Sequence, residues 1–186
     1  MLFEIFSLLL QVITALIAGT CLLRGYIQFC GIQLSLRSAN PIAPFVFALT
    51  NWIVLPMRRI LPAVGRIDTA SFISAYLVAL AKYGVFWLLA ESAWNPVNLP
   101  IQAAIEIAST CISGLFWIVI IYALASWLRS ASPAMMFIEL LAEPVLEPLR
   151  RVLPRVGGLD LSALALIVIL QILEIVLHHF SRAVLL

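Results

Sequence analysis

Residues able to do chemistry are few in this sequence, and their spacing works against most of it. His178 and His179 are the only histidines. Adjacent on a helix, they point about 100° apart and cannot share a ligand. A haem ligand is the lesser reading of either ring, and a structural role at an interface the greater. Cys21, Cys30 and Cys111 lie in or beside apolar runs, an odd number with no short spacing. That suits neither a disulfide framework nor a zinc site, so the thiols read as small hydrophobes. No Gly-rich phosphate loop, H-E-x-x-H or nucleophile elbow is present. Catalysis needs a base, a nucleophile or a metal held in a pocket, so the sequence predicts a non-enzyme without a cofactor.

The residues that do stand out are charges in unusual places. Arg24, Lys82 and Glu174 interrupt or border long apolar runs, and a charge in hydrocarbon is costly enough to be paired or functional as a rule. Glu174 is expected to face the bundle interior and pair with Arg24 or Lys82. The alternative ends the first span at Leu23, puts Arg24 at the interface, bends the chain at Gly25 and Gly31, and lets Lys82 snorkel.

The elements that position these groups follow from composition. Of 186 residues, 64% are hydrophobic and 11% charged, against about 25% charged in a soluble domain. Mean hydropathy is +1.13. These values predict a small multi-span membrane protein, exclude disorder and, with a net charge of +2, exclude a nucleic-acid binder. Four segments can cross about 30 Å of hydrocarbon: one beginning near Ile5 and free of charge until Arg24, then Thr69 to Ala90, Ile107 to Leu128, and Leu161 to about Phe180. The first lacks a basic n-region and reads as a retained helix. Segments 40–60 and 132–151 are apolar but broken by Pro41, Pro44 and Pro56, and by Pro133, Pro144 and Pro148, so they are expected to be interfacial or re-entrant rather than straight spans. In the second, Glu139, Glu143 and Glu147 recur every four residues opposite Met136, Leu140 and Leu141, which predicts an amphipathic helix with Glu147 paired to Arg151. In the first, the same positions are Phe47, Asn51 and Leu55, a face expected to be covered by lipid or protein.

The chain is a duplication. Residues 37–68 and 129–160 align without a gap at an offset of 92, with 14 of 32 positions identical, far beyond what composition alone gives. The repeats are placed at 1–94 and 95–186. Two spans each make them parallel copies about an axis along the membrane normal. Their shared core is P-x-R-R-x-L-P-x-V-G-x-x-D: Pro56, Arg58, Arg59, Pro62, Gly65 and Asp68 in one copy, Pro148, Arg150, Arg151, Pro154, Gly157 and Asp160 in the other, with Gly158 beside the last glycine. Proline and glycine make the surface turn. Asp68 and Asp160 are placed to cap the following spans. The arginines read as topology anchors or as a basic surface for anionic lipid or a partner. Eight of the eleven basic residues (Arg37, Arg58, Arg59, Arg66, Arg129, Arg150, Arg151 and Arg155) fall between spans one and two or three and four, which puts both turns in the cytoplasm and both termini outside it.

With this core, the chain resembles the YggT (YlmG) family of integral membrane proteins over nearly its whole length. The second copy, Glu147 to Ser162, stands close to the family pattern. The first has Arg66 where the second glycine would be, and Phe116 replaces an arginine that precedes Ser126-Trp127, with Arg24 and Gln28-Phe29 as the related version in the first half. The resemblance implies a bacterial inner-membrane protein. Family members are linked to osmotic tolerance and ion uptake, to cell division and, in plastids, to haem attachment and nucleoid distribution, with no shared activity. Two functions follow as expectations: a scaffold or assembly factor for other membrane proteins, or a small channel or transporter subunit acting as an oligomer. Polar residues facing each other within the spans would favour transport, and polar residues confined to interfaces a scaffold. The partners expected are the lipid bilayer and a membrane protein or further copies of the chain.

Overall fold

A computed structural model describes residues 2–32, 42–63, 65–89, 96–128, 132–153 and 160–185. Within them the chain is all-α: α1 (Leu2–Phe29), α2 (Ile42–Ile60), α3 (Thr69–Leu89), α4 (Leu99–Leu128), α5 (Pro133–Arg150) and α6 (Leu161–Leu185), with a 3-10 turn at Pro96–Asn98 leading into α4. Four helices, α1, α3, α4 and α6, are long and apolar enough to cross a membrane. The large side chains they leave exposed, such as Leu8, Ile13, Trp117, Ile172 and Val176, meet lipid rather than water.

α1 does not bend at Gly25. It runs on to Phe29 and stops at Gly31, whose φ of +75° is the left-handed conformation that a helix C-cap requires. The Ile32 amide donates to the Ile27 carbonyl (3.1 Å) and the Gly31 amide to the Gln28 carbonyl (3.0 Å). Gly25 serves packing instead: a Cβ there would lie 3.1 Å from the Phe72 ring. Helix α1 packs on α3, and α2 packs on both. Small residues line the buried sides, Ala18, Cys21 and Gly25 on α1 and Ser71, Ser74, Ala75 and Ala79 on α3. Lipid tails are as apolar as leucine, so membrane helices associate through such close backbone approach.

Two compact units emerge, the first taking in Met1–Thr110 and the second Cys111–Arg182. The division falls inside α4, whose early turns pack with the first unit: Thr110 is the nearest side chain to Gly19, and Tyr76 donates to the Pro100 carbonyl at 3.2 Å. The second unit is cored by Val119, Tyr122, Ala142, Leu146, Ala163, Leu166 and Leu170.

Prolines lie within the short helices rather than breaking them: Pro56 in α2, Pro144 and Pro148 in α5. All three are exposed, where a lost backbone bond costs least. Ser132 caps α5, its hydroxyl accepting from the Met135 amide at 3.2 Å. The acids Glu139, Glu143 and Glu147 are exposed, but Met136 and Leu140 are not opposite them. Both are exposed, at 65% and 49%, and the buried residues are Leu141, Ala142 and Leu146. Positions 136, 140, 143 and 147 recur at steps of three and four and therefore share one face.

Candidate functional site

The repeated motif builds a clasp where each short helix meets the following span. In the first unit Asp68 directly precedes α3, and its backbone carbonyl accepts from the Ser71 amide at 3.1 Å. Its carboxylate accepts from the Ser71 hydroxyl at 2.7 Å and forms an ion pair with Arg58, near the end of α2. Asp68 is fully buried. Burial alone would raise its carboxyl, but the hydrogen bonds from Arg58 and Ser71 outweigh it and hold the group below the usual carboxylate range. Arg58 also donates to the Gln28 side chain at 3.0 Å, so the clasp joins α1, α2 and the start of α3. The turn itself is closed by the Thr69 hydroxyl donating to the Pro62 carbonyl at 3.1 Å, and by Gly65 at a φ of +63°.

The second unit repeats the device with different support. Arg150 donates through Nε (3.1 Å) and Nη2 (2.9 Å) to one carboxylate oxygen of Asp160, and the other oxygen accepts from the Ser162 amide at 3.2 Å. Burial would lower the Arg150 guanidinium, but the hydrogen bond to Asp160 prevails and raises it. Tyr122 completes the group: its hydroxyl accepts from Arg150 at 2.6 Å, and its ring lies 5.5 Å from the guanidinium carbon. Sequence comparison of the two copies hides Tyr122, because Cys30 stands at the matching position. Arg151 is exposed and pairs with Glu147 at 2.7 Å. Pro154, Gly157 and Gly158 lie outside the described residues, as do Arg37, Arg129 and Arg155.

The charges within the spans pair differently from expectation. Lys82 takes Glu106, at 2.5 Å, and its ammonium sits 4.6 Å from the Tyr83 ring centre. Lys82 is 6% exposed and Glu106 21%. The third apolar run, read from Ile107, leaves Glu106 just outside it, yet α4 begins seven residues before Glu106, at Leu99. Arg24 is buried and donates to Thr50 (2.8 Å) and Asn51 (2.9 Å) on α2, with the Phe47 ring 5.0 Å away. Since α1 ends at Phe29, Arg24 is about 7.5 Å from that end at 1.5 Å per residue. Glu174 has His178 at 3.4 Å on its own helix. Lys82 and Arg24 thus have partners within the first unit, and Glu174 has one on its own helix.

His179 contacts the Ile175 carbonyl at 3.1 Å, and among the described residues no group of three or more His, Cys, Asp or Glu side chains is placed to hold a metal. The pairs and hydrogen bonds among the described residues tie helices together.

A sequence model of the CCB3/YggT family matches residues 1–89 and 101–181. The uncharacterised protein YggT of Escherichia coli strain K12 is 31% identical over 169 residues, covering 90% of this chain and 86% of that protein. A Vibrio alginolyticus protein described by its position in the proC 3′ region is 35% identical over 135 residues, 71% of this chain and 73% of its own. The Pseudomonas aeruginosa protein PA0392 is 30% identical over 146 residues, 73% and 71% of the two chains. No solved structure matches.

Proposed function

The chain belongs to the CCB3/YggT family of bacterial membrane proteins, and from that premise we propose that it is a scaffold or accessory factor for other membrane proteins and not an enzyme. One observation carries this reading: the polar groups that could act are engaged in clasps between helices, Arg58 with Asp68, Arg150 with Asp160, Lys82 with Glu106. Pairs of this kind hold helices at fixed positions, while the long apolar faces and the exposed acidic face of α5 are left for lipid and partners. The protein lies in the inner membrane, its arginine-rich turns in the cytoplasm and both termini outside, by the distribution of basic residues.

A second reading, a small channel or transporter subunit working as an oligomer, is favoured by the Lys82–Glu106 pair, since polar groups meeting inside the spans are the mark of a transport path. Purification from mild detergent with identification of co-purifying proteins separates the two. Defined membrane-protein partners support the scaffold. A partner-free homo-oligomer that conducts ions in liposomes overturns it and establishes the second reading.

A further inference from the structure

The two copies of the motif build similar clasps but carry different charge. Residues 37–68 hold four arginines and one aspartate, whereas residues 129–160 hold four arginines and four acids, Glu139, Glu143, Glu147 and Asp160. Among the described residues, the surplus in the first copy is not neutralised by nearby carboxylates. Asp68 is engaged by Arg58, and buried Arg24 adds a second guanidinium on the same side, with Thr50, Asn51 and the Phe47 ring as its partners. Arg59 and Arg66 are exposed, and among the described residues neither has a carboxylate within ion-pair distance. The Nε of Arg58 is buried and has no hydrogen-bond partner there.

The flank of this basic cluster is apolar. Ala43, Val46, Thr50 and Val54 form the buried side of α2. On its other side Phe45, Trp52 and Leu55 are half exposed or more, and Arg59 follows at the helical step of four, so apolar surface runs directly into a free cation. Ile60, 73% exposed, and Ile67, 47% exposed, lie beside Arg59 and Arg66 in sequence. An interfacial helix with a tryptophan on its apolar face and arginine at its end matches a leaflet of anionic lipid in both polarity and charge. In the second copy the position of Leu55 is Glu147 and that of Asn51 is Glu143, and Arg151 is already taken by Glu147.

We propose that the arginine-rich end of the first unit is a binding site for the phosphate headgroup of an anionic phospholipid. Arg59, Arg66 and the free N–H of Arg58 hold the phosphate, Arg24 adds buried positive charge behind them, and the outer face of α2 lies along the acyl chains. The corresponding end of the second unit does not bind such lipid.

The full chain in detergent micelles, titrated with phosphatidylglycerol or phosphatidylcholine and read by native mass spectrometry, tests this. Phosphatidylglycerol should be retained in preference to phosphatidylcholine. Arg59→Gln and Arg66→Gln should each weaken that retention by about fivefold, with a thermal melt confirming that these exposed changes leave folding intact. Arg151→Gln should leave it unchanged, and Arg59→Lys, which keeps the charge, should retain most of it. Excess inorganic phosphate should not displace the lipid. Equal retention of the two lipids, or equal losses from Arg59→Gln and Arg151→Gln, would overturn the proposal; displacement by inorganic phosphate would identify a free-anion site in its place.

Discussion

At the scale of single residues, Asp68 carries the most consequence. Its carboxyl is held below the ordinary range, so its contribution is complete above the unfolded-state value near 4 and is lost as pH falls through the lower folded-state value. Thermal unfolding in detergent should therefore weaken below about pH 4, and Asp68→Asn should flatten that part of the profile. Asp68→Ala removes the cap, typically about 0.5–2 kcal/mol, and also strips Arg58 of its counter-ion, so it should cost more than Ser71→Ala. Lys82 and Glu106 supply a second test. Lys82→Met or Glu106→Gln alone leaves a charge unpaired inside the membrane, a loss of about 3–5 kcal/mol for a buried pair. The double variant should recover much of it, whereas Lys82→Met and Glu174→Gln should add. Additive losses for Lys82 and Glu106 would mean the contact is not made. The aspartate caps were legible because capping depends only on the neighbouring residues. Glu106 was not, since a hydropathy rule trims a span at its first charge, and only the partner across the helix pair shows that the charge belongs inside.

At the scale of elements, helix existence was readable from apolar runs and proline positions, while faces and ends were read less well. Met136 and Leu140 were placed opposite the acids of α5 by their hydrophobicity, yet their spacing puts them with Glu143 and Glu147, and both are exposed. In a membrane an exposed apolar side chain carries no penalty, so hydrophobicity no longer separates inside from outside. The alternative that ends span one at Leu23 missed where α1 stops, because the stop is made by Gly31 in a left-handed conformation and not by the charge of Arg24. Glycine is the test at this scale. Gly25→Ala should be near neutral, since the Phe72 ring 3.1 Å away can give by a few tenths of an ångström. Gly25→Leu should cost about 1–3 kcal/mol by forcing α1 off α3. Gly31→Ala meets open space, so its cost should be only the left-handed backbone, about 1–2 kcal/mol. Unfolding of the three variants in bicelles gives the comparison, and equal losses at Gly25→Ala and Gly25→Leu would remove the close-packing account.

At the scale of the whole molecule the same repeat governs topology. α3 begins at Thr69 and α6 at Leu161, 92 residues later, the offset at which the two motif copies align, and each follows an Arg–Asp clasp. A clasp ties the end of a short helix to the start of a span, so both must lie at the same membrane surface. If α2 crossed, Arg58 would sit on the side opposite the entry of α2, and the end of α1 would no longer lie beside it; yet Gln28, near the end of α1, accepts from Arg58. Arg24 likewise reaches Thr50 and Asn51, midway along α2, from within two turns of the end of α1. α2 therefore runs along one surface, and α1 and α3 are consecutive crossings. The same reasoning holds for α5 through Tyr122, late in α4, and Arg150. In the proposed topology, α1, α3, α4 and α6 are the crossings and the clustered arginines lie in the cytoplasm, which puts both termini outside it. Alkaline phosphatase fused after Leu186 should be active and green fluorescent protein there dark, with the opposite result for fusions within residues 154–159. A fluorescent C-terminal fusion with a dark one at 154–159 would mean the whole chain is inverted. Matching signals at the two positions would mean that α6 does not cross, and neither outcome is compatible with clasps held at the cytoplasmic surface.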